Sequence, residues 1–212
     1  MSEGTGIAQS SPGAAAAPPQ GAALPAFAAD VFFALPEIGE DMLARPAGET
    51  CPQFLAKLAA SATPEEAVTF CAYLLPWPAA ILWAHRCLLA RPAPQAPRDA
   101  LLVALVAEWL KSPAEGAARD DLRREALAIA GPARPRTPPV WIALGLGWSA
   151  GSLSPPDLPP VAPPAFATPR AVNAGILGLL AEVSPGERAA TLAEFLSQAR
   201  RIAAALAAGQ GI

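Results

Sequence analysis

Residues 63–85 read TPEEAVTFCAYLLPWPAAILWAH, and this stretch decides between a membrane protein and a packed helical one. From Ala67 to His85 no side chain is charged at neutral pH, which approaches the ~20 apolar residues that cross a bilayer. Pro76 and Pro78 interrupt the run at its middle. They remove two backbone donors, and Thr69 and Tyr73 add polar atoms, so two buried helices meeting at a corner fit better than one spanning helix. The stretch also opens as a helix should. Thr63 can accept an orphan N–H, Pro64 has φ already set and no N–H to satisfy, and Glu66 stands three residues on, where a capping box needs it.

The same signature recurs at Ser112-Pro113, Thr137-Pro138, Thr168-Pro169 and Ser184-Pro185, with further box acids at Glu115 and Glu187. Apolar residues then follow at helical rather than alternating spacing. Phe54, Leu55 and Leu58 come after Thr50, and Val68, Phe70, Cys71, Leu74 and Leu75 after Thr63. A third helix over 77–89 stripes Ala80, Trp83, Ala84, Cys87 and Leu88; a fourth carries Leu102, Leu105, Val106, Trp109 and Leu110. The fifth reads as solvated, with Glu115/Arg119 and Asp120/Arg124 as i,i+4 pairs and Gly131-Pro132 as the stop. Runs 140–148 and 171–183 are apolar on nearly every side and should lie deepest. The last stripe, from Leu192 through Phe195, Leu196, Ala199 and Ile202 to Leu206, closes the chain.

Between the deep runs, 154–164 is so rich in proline that an extended surface strap is expected, and 91–97 reads as a Pro-rich loop. Nothing alternates long enough to make a sheet. The expected fold is all-α: about eight helices in a compact bundle or a short array of antiparallel hairpins, with a Pro-rich surface strap. Residues 1–47 are expected to form a disordered Ala/Pro/Gly-rich tail with a docking segment at 30–35, a short helix or an extended clip, and 48–212 the helical domain.

Composition limits the function classes. The 212 residues are 53% hydrophobic and 16% charged, so a core can form without disulfides. Fifteen basic residues against 18 acidic ones give a net charge of −3, which supplies no field for a phosphate backbone; a nucleic-acid partner is not expected. The first 44 residues contain no Lys or Arg, so the positive region of a secretory signal is lacking, and three cysteines without a C-x-x-C suit a reducing compartment. A cytoplasmic location is expected, without membrane insertion.

Gly147-Trp148-Ser149-Ala150-Gly151 matches the G-x-S-x-G nucleophile elbow. Its context is wrong: a helix precedes it, prolines follow, and no His lies downstream. The expected role of Gly147 or Gly151 is to end the sixth helix. His85 is the single histidine, and with no Cys or carboxylate at ligand spacing no metal is expected. Beside Arg86 it reads as a boundary residue with its ring hydrogen-bonded. The glycines form no phosphate-binding pattern, so no cofactor is expected. The five tryptophans should be mostly core anchors, with exposed ones marking an interface. Trp77, His85, Arg86, Trp148 and Phe166 are the candidate interaction surface.

The segment WSAGSLSPP at 148–156, continuing through Pro159-Pro160 to Pro163-Pro164, resembles a family of proteobacterial all-helical proteins of unknown function. A Leu-Pro-x-x-x-Ala-x-x-Trp-Ala helix of that family is similar to 75–84, and its C-terminal Glu-Arg helix to 187–203, so the likeness runs from about residue 50 to the end. Trp77-Pro78 stands where the family pattern has a charged pair. The resemblance implies a domain without assigned catalytic residues, encoded in some genomes near type VI secretion genes. Taken together, these readings favour a non-enzymatic adaptor, scaffold or chaperone-like protein-interaction module with a protein partner, possible oligomerisation being left open. The alternatives are an enzyme with an unrecognised site near His85 and Arg86, and a membrane-associated helical protein.

Overall fold

The computed structural model describes residues 24–91, 96–114, 116–155 and 157–210. The tail over 1–23, the loop residues 92–95, Glu115 with its expected cap and ion pair, and Pro156 of the strap lie outside the described residues. Among those described, the chain forms ten α-helices and no strand, with one isolated antiparallel bridge between Phe27 and Thr50.

Eight of the ten answer to the eight expected: α3 (Cys51–Ala59), α4 (Glu66–Leu74), α5 (Trp77–Ala90), α6 (Pro97–Lys111), α7 (Ala117–Ala130), α8 (Pro138–Gly147), α9 (Ala167–Ala181) and α10 (Pro185–Ala207). The centre is α8, where every residue but Trp141 is buried. On one side α9 packs along it at close quarters: a Cβ on Gly145 would stand 3.4 Å from Val172, and one on Gly175 only 2.9 Å from Ile142. On the other side Gly147 admits Leu127 of α7, whose Cβ lies 2.7 Å from where a side chain would begin. Helix α6 packs on α7 and α8, α4 and α5 flank α9, and α10 closes over α4 and α5. Buried bonds fix that closure, Trp83 Nε1 donating to Phe195 O at 2.8 Å and Cys87 Sγ to Gln198 Oε1 at 3.9 Å.

The corner over 75–78 forms as the prolines require. Leu75 ends α4, Pro76 caps α5, and the faces of both helices bury in the common core. No helix among the described residues is long and apolar enough to cross a membrane.

Two helices precede these eight, α1 (Ala28–Ala34) and α2 (Ile38–Asp41), inside the segment expected to belong to the tail. They order because Val31, Leu35, Ile38 and Met42 bury in the core. Of the aromatic pair, Phe32 packs edge-on against Phe54, whereas Phe33 is 91% exposed. The non-helical chain after α2 is tied by charge. Arg45 donates to the carbonyls of Gly39, Met42, Leu43 and Ala44, and Glu66 accepts from Leu43 N at 2.6 Å and Ala44 N at 3.2 Å.

That use of Glu66 corrects the helix-start reading at Thr63, for α4 begins at Glu66 itself behind a turn. Thr137 and Ser184 do stand at N-cap positions with Pro next, though neither side chain caps a backbone N–H, and Ser184 Oγ instead meets Glu187 at 2.8 Å. Ser112 closes α6 rather than opening α7, and Thr168 lies inside α9, where its hydroxyl reaches across to Gly145 O at 3.0 Å. The full capping box is at Thr50 and Gln53. At Glu66 and Thr168 a tertiary partner outcompetes the local cap, whereas Ser112 turns back onto Glu108 O of its own helix.

Candidate functional site

The ends of five helices leave a cavity of about 670 Å³. Its walls are Ala34–Glu37 after α1, Tyr73 and Leu75 at the end of α4, Trp77 and Ala80 of α5, 148–151 after α8, and Pro163 to Phe166 leading into α9. The Pro-rich strap makes the last wall. Ser152 Oγ accepts from Ser154 N and Val161 N, and Leu153 N donates to Val161 O at 2.8 Å, so the strap leaves the body and returns at one pinch. Its middle is exposed, as expected for a surface course.

Three of the five candidate surface residues meet here. Trp77, Trp148 and Phe166, each half-buried, line the cavity from three different elements. The other two do not join them. Arg86 is exposed elsewhere on α5, and His85 is buried but lines neither this cavity nor the smaller one beside it. Instead of the hydrogen-bonded ring expected at a boundary, His85 Nε2 has no acceptor or donor within the described protein. Burial, and then the charge of Lys111, lower its pKa below the ordinary 6.5.

The cavity's hydroxyl groups are all committed inward. Tyr73 Oη donates to Asp41, Ser149 Oγ to Leu146 O at 2.7 Å, and Thr168 Oγ1 to Gly145 O. Ser149, the elbow-like serine, is 5% exposed and sits in the turn after a helix, with Trp148 as the helix cap and Gly151 at φ +66°. Gly147 therefore does not end α8 through a left-handed turn; its lack of a side chain makes room for Leu127. Behind the wall, Arg170 bonds Asp41 and Glu40 and stacks 4.5 Å from the Phe166 ring centre.

A smaller cavity of about 130 Å³ adjoins the first, and Trp77, Ser149 and Ala150 line both. Its remaining wall is Trp109 of α6 with Gly116, Arg119, Asp120 and Arg123 at the start of α7. Trp77 and Trp109 tilt together at 5.6 Å, and Arg119 lies 3.8 Å over the Trp109 ring. Sequence reasoning treated this charged stretch as a solvated face and missed Arg123, which is 2% exposed. A signal existed: Arg123 falls on the same helical stripe as the buried Ala126 and Ala130.

Cys51, Cys71 and Cys87 are free and buried, and burial pushes the Cys51 thiol up to about 11 and the Cys71 thiol to about 12. Among the described residues no three His, Cys, Asp or Glu side chains gather as a metal-binding group.

A family model matches residues 54–203. This chain belongs to DUF6931, a family of unknown function. Comparison with curated proteins and with solved structures gives no match. In DUF6931 terms, the matched span takes in α4 through α9 and most of α10, and with them the three aromatic walls of the cavity. The wall from Ala34 to Glu37 stands before it.

Proposed function

We propose that this chain is a non-enzymatic, cytoplasmic adaptor or chaperone-like module that takes a short, extended, proline-containing apolar segment of a partner protein into the 670 Å³ cavity. The observation that carries the reading is the pairing of aromatic walls with committed hydroxyls. Trp77, Trp148 and Phe166 offer flat apolar faces, while Tyr73, Ser149 and Thr168 give their protons to internal acceptors. Such a surface recognises shape and apolar rings, and a polyproline backbone is already extended, so little ordering entropy opposes its docking. A catalytic site would need a free nucleophile or base aimed at the space, and the enzyme alternative loses its anchor with His85 outside both cavities.

The resemblance to proteins encoded near type VI secretion genes makes the products of such a cluster the first partners to try. The test is capture of neighbouring gene products by the intact chain and by a Trp77→Ala/Trp148→Ala variant. The reading expects a partner retained by the intact chain and released by the variant. Equal retention by both, or no stable partner, overturns it.

A further inference from the structure

The chain before α1 is pinned beside the start of α3. Phe27 and Thr50 form the isolated bridge, Ala28 N donates to Glu49 O at 3.0 Å, Cys51 N to Ala26 O at 3.0 Å, and Cys51 Sγ to Pro25 O at 3.1 Å. Leu24, just upstream, packs against the core. From this root α1 runs its seven residues, about 10 Å, to Ala34, the first residue of the large cavity's wall. The four residues from Leu24 to Ala28 add at most ~14 Å, so Leu24 stands within about 24 Å of the cavity.

The sequence upstream of Leu24, outside the described residues, has the chemistry the cavity takes. No residue between Gly4 and Ala29 is charged, and Ala14-Ala15-Ala16-Ala17-Pro18-Pro19 is apolar throughout. Fully extended, the chain carries Pro19 ~17 Å and Ala14 ~34 Å from Leu24, which brackets the distance to be covered. Gly21 lets the connecting residues turn back at little cost. Among the residues that line the cavity only Glu37 is charged, so an uncharged segment can enter without burying an unpaired ion. An apolar space of about 670 Å³ left to water is also unfavourable, which rewards a segment held close by.

Resting on the reading of this cavity as a site for extended, proline-containing segments, we propose that residues 14–19 of the same chain occupy it when no partner is bound. Pro18 and Pro19 pack against Trp77, Trp148 and Phe166. The short tether keeps the segment near the walls at an effective concentration on the order of millimolar, so a segment that binds weakly as a free peptide fills the site in cis. A partner must then outcompete a resident of like chemistry. The stretch before the family match at residue 54 thus supplies both a wall, Ala34–Glu37, and the occupant.

The test uses the full chain with Ala16→Cys carrying a nitroxide; the three native thiols are buried and stay unlabelled. In spectra of the isotope-labelled protein, the indole N–H signals of Trp77 and Trp148 should lose most of their intensity. They should regain it in Pro18→Asp/Pro19→Asp, which would press two carboxylates against apolar walls and Glu37. Full intensity in the nitroxide-bearing chain, or broadening that survives Pro18→Asp/Pro19→Asp, overturns the proposal. Broadening passed to an isotope-labelled copy without nitroxide, mixed with nitroxide-bearing chain, also overturns it, because the segment then enters a second molecule. The partner reading is judged separately. Capture through Trp77 and Trp148 with unbroadened signals removes this inference alone, and broadened signals with no captured partner remove the adaptor reading alone.

Discussion

Arg170 Nε donates to both carboxylate oxygens of Asp41, at 3.0 and 2.8 Å, joining α9 to α2 across 129 residues of sequence. Asp41 also accepts from Tyr73 Oη, so one carboxylate gathers three helices behind the cavity wall. These bonds, with Glu40, hold the Arg170 guanidinium above its ordinary range. Burial, and then Asp41, push the Tyr73 phenol up.

Arg170→Met is expected to loosen α1 and α2 rather than unfold the body. The ion pair is partly open, Arg170 being 33% exposed and Asp41 19%, so the loss should be about 1–2 kcal/mol, the lower part of the range for charge-assisted bonds. Hydrogen exchange would locate it. Amides of 28–41 should exchange faster while those of α8 keep their protection; uniform acceleration across the chain contradicts this.

Gly175→Ala should destabilise by about 1–3 kcal/mol through overpacking, since its Cβ would come within 2.9 Å of Ile142 Cγ1. Ile142→Ala removes that atom. The double variant should therefore be markedly more stable than the sum of the single losses predicts, in urea titrations of all four proteins. Simple additivity would refute the close approach of α8 and α9 at this point.

His85 gives the chain a pH dependence of known sign. Because its folded pKa lies below the unfolded value, the unfolded state binds a proton first. Stability is complete above about pH 6.5 and falls as pH drops through that value toward the folded pKa. With one histidine in the sequence, the slope of Tm between pH 7 and 5 should flatten in His85→Gln. An unchanged slope would mean that the ring is not held neutral.

Glu66→Ala withdraws the acceptor of two backbone amides, Leu43 N and Ala44 N. Leu43 is 87% exposed, so water can replace part of the loss and a cost of about 1 kcal/mol is expected. Thermal unfolding measures it, and Glu66→Gln should recover some of the difference. A loss as large as that of a core deletion would show Glu66 holding more than this segment.

The core helices were legible because their signal is periodic. The stripe in 77–89 and the all-apolar run in 140–148 state their burial without knowledge of neighbours, and Pro76-Trp77-Pro78 announces a corner by chemistry alone. Helix starts were less so, since Thr168 and Glu66 find better partners in three dimensions than in their own first turn. Sequence offered 30–35 only as a docking segment, and the extent of α1 and α2 was not legible because their buried apolar residues, Val31, Leu35, Ile38 and Met42, are sparse along the chain. The three aromatic walls could be named from sequence as surface anchors, but their convergence depends on how the ends of α5, α8 and α9 come together. Arg123 was hidden by its company: among so many charges, one that points inward looks like the rest.

The pinch at Leu153 and Val161 has a practical corollary. A loop whose two feet are already pinned can be lengthened at its apex with only a slow, logarithmic entropy penalty, and the packed helices on either side receive no pull. Positions 157–160, exposed and beyond the pinch, are thus where a fluorophore or an affinity tag can be grafted while leaving the cavity's aromatic walls where they stand.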